Sequence, residues 1–330
     1  MKQNHSSQSS VRAVLAPIAE DMLAVDEILR REFAHSQSPT VTEIGSYIIG
    51  AGGKRMRPAL LMLMARALGY EGTDHRELGA TIEMLHTATL MHDDVVDEGK
   101  MRRGRATANA RWGNNIAVLV GDFMYTRSFE MMIRIGNLRV MQALAQAANT
   151  LSEGEVIQMK NAHDPAVDEA RYLLVIERKT SVLFAAAAKM ASALANASET
   201  EEKALVDYCM ALGNAFQIAD DILDYSGDSS ESGKLIGADF AEGKVTLPVI
   251  YAMQNTDEVN RAFIEQAIRD VHGDFEKISA IIVESGAIER CKQRANEELQ
   301  KGRMANRFRC DAEFRQLFQN LFVRITSVYT

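Results

Sequence analysis

Apolar residues recur along this chain at three- and four-residue spacing, the period at which one face of an α-helix returns. Runs of β-branched residues alternating with polar ones, the mark of a half-buried strand, are missing. Ala, Leu, Met and Glu, all strong helix formers, fill the periodic segments instead. The spacing predicts helices over 11–35, 40–51, 58–69, 75–98, 106–134, 138–161, 168–195, 199–226, 246–254, 257–272, 274–285, 286–303 and 311–327. All five prolines (Pro17, Pro39, Pro58, Pro165 and Pro248) fall near predicted helix starts or connections, where a missing N–H is tolerated. The extended turn-rich stretch within the body is 226–244, SGDSSESGKLIGADFAEGK, expected to be an exposed, mobile loop of the kind that often closes over a site. No linker-like composition divides the chain and no 20- to 50-residue repeat stands out, so one all-α domain over 1–330 is expected, with residues 1–10 a flexible polar tail.

Composition narrows the class. With 47% hydrophobic and 25% charged residues the chain has enough apolar surface to fold, which excludes disorder. A net charge of −8 argues against general nucleic-acid binding, whose affinity comes from a basic surface. Cys209, Cys291 and Cys310 are far apart and odd in number, so neither a disulfide framework nor a zinc site is expected, and a reducing cytoplasm fits best. The N-terminus lacks the apolar stretch of a secretory signal. Apolar runs such as Ala59–Ala65 and Leu183–Ala188 fall far short of the roughly 20 residues that span a bilayer, so no transmembrane segment is expected.

The chemistry centres on Asp-Asp-x-x-Asp, which occurs twice: Asp93, Asp94 and Asp97 in LMHDDVVDEG, and Asp220, Asp221 and Asp224 in FQIADDILDYSG. At about 100° per residue the first and last Asp of each copy lie about 40° apart on one helix face, while Asp94 and Asp221 point further round. Like charges so close repel, and near a helix C-terminus they also oppose the macrodipole, so a cation is needed to explain them. Mg²⁺ suits hard oxygen ligands and binds through one or two carboxylates plus substrate phosphates. A single copy would read as a solvated acidic patch; two copies in similar apolar settings favour metal.

Basic residues supply the other half. Gly52-Gly53-Lys54-Arg55-Met56-Arg57-Pro58 sets three cations before a helix start, where free N–H groups already favour an anion. Arg102, Arg103 and Arg105 follow the first acidic helix within a short loop, and arginine forks bind phosphate oxygens two at a time. His86 lies about 20° around the helix from Asp93. Gln217, Lys179 and Thr180 stand near the second motif or at the start of an apolar helix, and Lys234 and Lys244 sit in the 226–244 loop; each alone is more often a core or solvated residue.

In order and spacing, the blocks GGKRMRP, LMHDDVVDEGKMRRGRATAN, VGDFMYTR, ERKTSVLF, FQIADDILDYSGD and GADFAEGKVTLP resemble the trans-isoprenyl diphosphate synthases, and among them the long-chain polyprenyl (octaprenyl-type) members. They span Gly52 to Pro248, about 60% of the chain. The resemblance implies one all-α domain of antiparallel helices around a deep central cavity, usually a homodimer, catalysing Mg²⁺-dependent condensation of an allylic diphosphate such as farnesyl diphosphate with isopentenyl diphosphate. It implies that Asp93, Asp97 and Asp220 hold the metal, three Mg²⁺ ions bound with the allylic diphosphate, with Asp94, Asp221 and Asp224 as partners. Arg102 and Lys179 would contact that diphosphate, and Thr180 and Gln217 would line the reacting end of the allylic chain. Lys54, Arg57, His86 and Arg103 would bind isopentenyl diphosphate, with Lys234 and Lys244 as weaker assignments.

Mg²⁺ and cations would let the allylic C–O bond ionise, the double bond of isopentenyl diphosphate would attack, and proton loss would regenerate an allylic diphosphate. Three other readings stay open: a terpene cyclase, which has no use for a second diphosphate site; an HD-type phosphohydrolase, suggested by His92-Asp93; and a non-catalytic subunit of a heteromeric synthase. Product length depends on what stands below the first motif. Thr89 and Ile82 belong to the stripe running inward from Asp93, Ala88 lies further round, and none is a large aromatic. An open tunnel and a product of about 40 carbons for a respiratory quinone tail are therefore expected on the family resemblance, rather than a farnesyl or geranylgeranyl chain, with transient membrane contact for release. Phe123, Met124, Met131 and Met132 are candidates for the tunnel floor.

Overall fold

The computed structural model describes residues 16–53, 55–226, 236–270 and 273–305. Within them the chain is helical almost throughout, and its contacts divide it into two compact units, one built from 16–148 and 183–206 and the other from 149–182 and 207–305.

The first unit begins with a 3₁₀ turn, Ala16–Ile18, leading into α1 (Ala19–Ala34). Pro39 opens α2 (Pro39–Gly50), as its fixed φ and missing N–H suit a first turn. α3 (Met56–Ala67) is buried at every position from Pro58 to Ala65, as its lack of a polar face requires. α4 (Asp74–Val96) packs on α1, α3 and α6 (Asn114–Arg134), and α6 buries Ala117, Val120, Met124, Met131 and Met132 while Leu119 and Ile133 stay exposed. Three of these helices are also joined through one charge: Asp21 of α1, fully buried, meets Arg66 of α3 at 2.7 Å and Arg76 and His75 of α4 at 2.8 and 3.2 Å. A carboxylate so far from water is tolerable only with several donors, and the arginines hold its pKa below the usual range against the opposing effect of burial.

The second unit holds the C-terminal part of α7 (Leu138–Asn161), then α8 (Glu169–Ile176), capped by the Asp168 side chain on the Arg171 N–H at 2.8 Å. α8 runs through a π turn, Glu177–Ser181, into α9 (Val182–Leu194), which from Leu183 belongs to the first unit. α10 (Glu199–Ser226) follows, then the short α11 (Ala238–Ala241), α12 (Leu247–Asn255), α13 (Glu258–Asp270), α14 (Phe275–Glu284) and α15 (Ala287–Ala305). α12 is buried from Leu247 to Met253 and forms the axis of a core with Ile218 and Ile222 of α10, Ile264 and Ile268 of α13, Ile278 and Ile282 of α14 and Cys291 of α15. Each such aliphatic side chain, fully buried, contributes about 1.5–3 kcal/mol.

The sequence-based segments differ from this in four places. Helix 106–134 is broken at Gly113, whose φ of 86° ends α5 (Ala108–Trp112) before α6 begins. A small hairpin, β1 (Met101–Arg102) with β2 (Arg105–Ala106), precedes it, too short to show a period-two pattern. The segment expected from residue 11 starts as regular α-helix at Ala19, after the 3₁₀ turn, with 11–15 outside the described residues. The 226–244 stretch contains α11, with 227–235 outside the described residues, as is the expected helix 311–327. No described helix is long and apolar enough to cross a membrane.

Candidate active site

The first aspartate motif closes α4. Asp93 and Asp97 are partly exposed, and the Asp97 N–H returns to the Asp93 carbonyl at 2.8 Å. Asp94 is buried and receives Arg102 Nε and Nη2 at 2.9 and 2.8 Å. Burial pushes its carboxyl up while the arginine opposes that shift. The chain then turns at Glu98 (φ 51°) into the hairpin, which is bolted to the helix end: Asn109 Nδ2 donates to the carbonyls of Asp94 (2.9 Å) and Gly99 (3.1 Å), and the Thr107 hydroxyl donates to Gly99 (2.6 Å).

The hairpin tip is Arg103-Gly104, both at positive φ (51° and 72°), the two-residue I′ turn that matches strand twist. This geometry separates the neighbouring arginines: Arg102 turns to Asp94, and Arg103 Nη1 donates to the Gly52 carbonyl. Gly53 makes room for it, since a Cβ there would come within 2.7 Å of Arg103 Nη1. Arg55, left-handed at φ 47°, begins α3 and is held by Glu83 at 2.8 Å and Asp26 at 3.3 Å. Arg57 stacks 4.9 Å above the Phe184 ring with its Nε unpartnered, and burial, helped by Arg103, pulls its pKa to about 10, so it stays cationic at neutral pH. His86 is held well below its ordinary range by burial and by Arg57, Arg103, Arg102 and Arg55, and is neutral there. Lys54 lies outside the described residues.

Below this site Ile82, Ala88 and Thr89 are buried, and the Thr89 hydroxyl donates to the His86 carbonyl at 2.8 Å. Met124, Met131 and Met132 are buried on α6, while Phe123 is half-buried between Phe33 (6.1 Å) and Arg127 (5.1 Å).

In the second unit the Asp-Asp-x-x-Asp motif lies near the end of α10. Asp221 is buried and accepts from Tyr172 Oη (2.6 Å) and Gln217 Nε2 (2.8 Å). Burial, Asp239 and Asp220 push its carboxyl well up, while the two donors oppose that. Asp224 caps α11, accepting the N–H groups of Gly237, Ala238 and Asp239, each at 3.1 Å. Asp220 stays partly exposed. The π turn carries Lys179, which meets Glu155 at 2.8 Å, and Thr180, which donates to Gln217 Oε1 at 2.9 Å. π turns are rare and cluster at functional sites. Gly213 lets α10 press against this one, for a Cβ there would lie 2.6 Å from Ser181 Cα. Lys244 pairs with Glu242 at 2.5 Å; Lys234 lies outside the described residues.

Among the described residues no three His, Cys, Asp or Glu side chains converge into a ready-made metal cage. The donor set nonetheless fits Mg²⁺: both motifs offer carboxylate oxygen only, and this ion is ordinarily held by one or two carboxylates with phosphate and water completing its shell. Sequence reasoning missed Arg55, Glu83, Asn109 and Tyr172. Arg55 was visible as a charge in GGKRMRP but its left-handed backbone was not, and nothing along the chain marks Glu83, Asn109 or Tyr172 as partners of residues many positions away.

With these features in place, similarity to known proteins becomes specific. Residues 38–284 match the family described as Polyprenyl synthetase. The chain is 44% identical over 300 residues to the octaprenyl diphosphate synthase of Escherichia coli (strain K12), covering 90% of this chain and 93% of that protein. Its structure resembles a decaprenyl diphosphate synthase from Rhodobacter capsulatus (TM-score 0.91, 42% identity, 96% and 99% of the two chains). It also resembles a polyprenyl synthase from Caulobacter crescentus CB15 complexed with calcium and isoprenyl diphosphate (TM-score 0.93, 34% identity, 97% and 98%). The chain belongs to the polyprenyl synthetase family. It is a prenyltransferase with the all-α isoprenoid synthase fold.

Proposed function

We propose that this enzyme extends an allylic diphosphate such as farnesyl diphosphate by successive isopentenyl diphosphate units to an all-trans chain of about 40 carbons, the side chain of a respiratory quinone. The observation that carries the two-substrate reading is the divergence of Arg102 and Arg103, one tied to Asp94 and the other turned to Gly52 in the neighbourhood of Arg57 and a neutral His86. Two diphosphates can then be held by different cations, which a cyclase acting on one substrate does not need.

Asp93, Asp97 and Asp220 would hold Mg²⁺, three ions in the family pattern, and when bound the metal supplies charge neutralisation to the departing diphosphate. Arg102 and Lys179 act on the same diphosphate, their cations favouring the charge that grows on its oxygens as the allylic C–O bond breaks. Arg103, Arg57 and His86, with Lys54, place the isopentenyl double bond against the cationic carbon. His86, being neutral, offers a hydrogen bond without adding to the repulsion among the arginines. A C–C bond forms, a proton leaves to the released diphosphate, and the product is again allylic. Thr180 and Gln217 line the reacting end, and Lys234 and Lys244 add charge toward phosphate. Small residues at Ala88 and Thr89 leave the growing chain a path inward, with Phe123, Met124, Met131 and Met132 as its floor.

A single catalytic domain over 1–330 is part of this reading, because the chemistry needs both aspartate motifs. The exposed apolar side chains Leu119, Ile133, Leu138, Val156 and Met159 support a homodimer, and buried Cys209 and Cys291 suit a reducing cytoplasm, with membrane contact confined to product release. The relatives support a long product but differ in its length, octaprenyl in one and decaprenyl in another. Purified protein with Mg²⁺, farnesyl diphosphate and labelled isopentenyl diphosphate tests the reading: a chain near 40 carbons is expected, and no incorporation of label by the chain alone would leave it a non-catalytic subunit.

A further inference from the structure

Tyr172 and Thr180 stand eight residues apart, a separation that in an uninterrupted α-helix rotates them by about 80° from each other. The π turn between them closes i→i+5 and so turns less per residue. Both side chains consequently reach the same pair on α10. Tyr172 Oη donates to Asp221 Oδ2 at 2.6 Å, Gln217 Nε2 donates to Asp221 Oδ1 at 2.8 Å, and Thr180 Oγ1 donates to Gln217 Oε1 at 2.9 Å. Gln217 and Asp221, four apart, are neighbours on one helix face.

The line of hydrogen bonds has a fixed direction. In its ionised form Asp221 only accepts, so it obliges Gln217 to present its amide N–H₂, which leaves the Gln217 carbonyl to Thr180 and commits the single hydroxyl proton of Thr180 to it. The lone pairs of Thr180 then point away from Gln217. Tyr172 is the donor that occupies the remaining oxygen of a buried carboxylate; without it that oxygen stands unsatisfied and the carboxylate gains by rotating, which releases Gln217 to flip. We propose that Tyr172 is a positioning residue, whose phenol holds Asp221 in the rotamer that orients Gln217 and, through it, the Thr180 hydroxyl. The proposal rests on the reading above, in which Thr180 and Gln217 line the reacting end of the allylic substrate.

Tyr172→Phe removes the hydroxyl and keeps the ring. It should lower kcat for the first condensation about tenfold, the loss expected of one charge-assisted hydrogen bond acting in the transition state. The KM for isopentenyl diphosphate should stay unchanged. So should the affinity, by calorimetry with Mg²⁺, for farnesyl thiodiphosphate, in which sulfur replaces the bridging oxygen. Tyr251→Phe is the matched control: it loses a phenol-to-carboxylate bond of 2.9 Å to Glu169 in the same unit and should leave all three quantities alone. Adding Thr180→Val to Tyr172→Phe should cost no more than the worse single variant, because the two act along one line. Should Phe prevent folding, Gln217→Leu cuts the same line and should give the same kcat loss. Unchanged kcat in Tyr172→Phe, an equal loss in Tyr251→Phe, or losses that simply multiply in the double variant would each overturn the proposal. An inactive wild type would sink the functional reading instead, so the two failures are distinguishable.

Discussion

The two aspartate motifs share a sequence pattern and differ in how the protein holds them. The first has its buried member, Asp94, neutralised by the Arg102 fork, in a neighbourhood that also gathers Arg55, Arg57 and Arg103. In the second, a phenol and an amide hold Asp221 and backbone N–H groups reach Asp224, with Asp239 adding a further negative charge beside Asp221. Hydrogen bonds from neutral groups order a carboxylate without cancelling its charge. Asp94 therefore carries a built-in counter-charge, whereas the order of Asp221 comes from a phenol and an amide.

The sharpest way to break this comparison is to remove a partly exposed carboxylate from each motif. Asp93→Ala and Asp220→Ala should each lower turnover by about 10²–10³-fold or more with the fold intact, as loss of leaving-group stabilisation does. Near-wild-type steady-state rates in either would show that only one motif serves the reaction.

Next in size is the division of labour between the arginines. Arg102→Ala should raise the KM for the allylic substrate about 10-fold or more, and Arg103→Ala that for isopentenyl diphosphate, on the scale of one lost charge-assisted contact. Equal effects of both variants on one substrate would merge the two sites. Thr89→Phe should shorten the product while condensation continues, and an unaltered product distribution on chromatography would refute the open path past Thr89.

Smaller effects separate the motifs electrostatically. In the absence of metal Asp239→Asn should raise the melting temperature, by relieving repulsion on Asp221, and Arg102→Ala should lower it, each by about 1–2 °C for about 1 kcal/mol. Shifts of the same sign in calorimetry would erase the contrast. The pH dependence follows from His86. Its folded pKa is depressed below the ordinary value of about 6.5, so on acidification the unfolded chain takes up a proton the native state refuses. Stability from this residue is complete above about pH 6.5 and declines as pH falls below it. His86→Gln should flatten part of that decline in denaturant titrations between about pH 5 and 7.

Most of the helices and the aspartates were legible in the amino-acid order, because apolar period and clustered like charge are local signals. What stayed hidden was set by partners far along the chain. Nothing near Asp94 and Asp221 distinguishes them, yet one is claimed by an arginine eight residues on and the other by a tyrosine 49 residues back. The π turn at Glu177–Ser181 was invisible because its residues are ordinary helix formers, and the wider turn appears only against Gly213 of α10. The hairpin escaped because its turn uses Arg103 where Asn or Gly would have announced it.

That last substitution of roles carries an evolutionary consequence. A type I′ turn is most relaxed with Asn or Gly at its first corner, and a long side chain held at φ 51° costs on the order of 1 kcal/mol or more. Arg103→Asn should therefore give a chain that melts higher and turns over more slowly, and a screen for heat resistance would favour it. Directed evolution for robustness alone would erode the proposed isopentenyl diphosphate site from its hairpin tip, so selection on activity has to run alongside it.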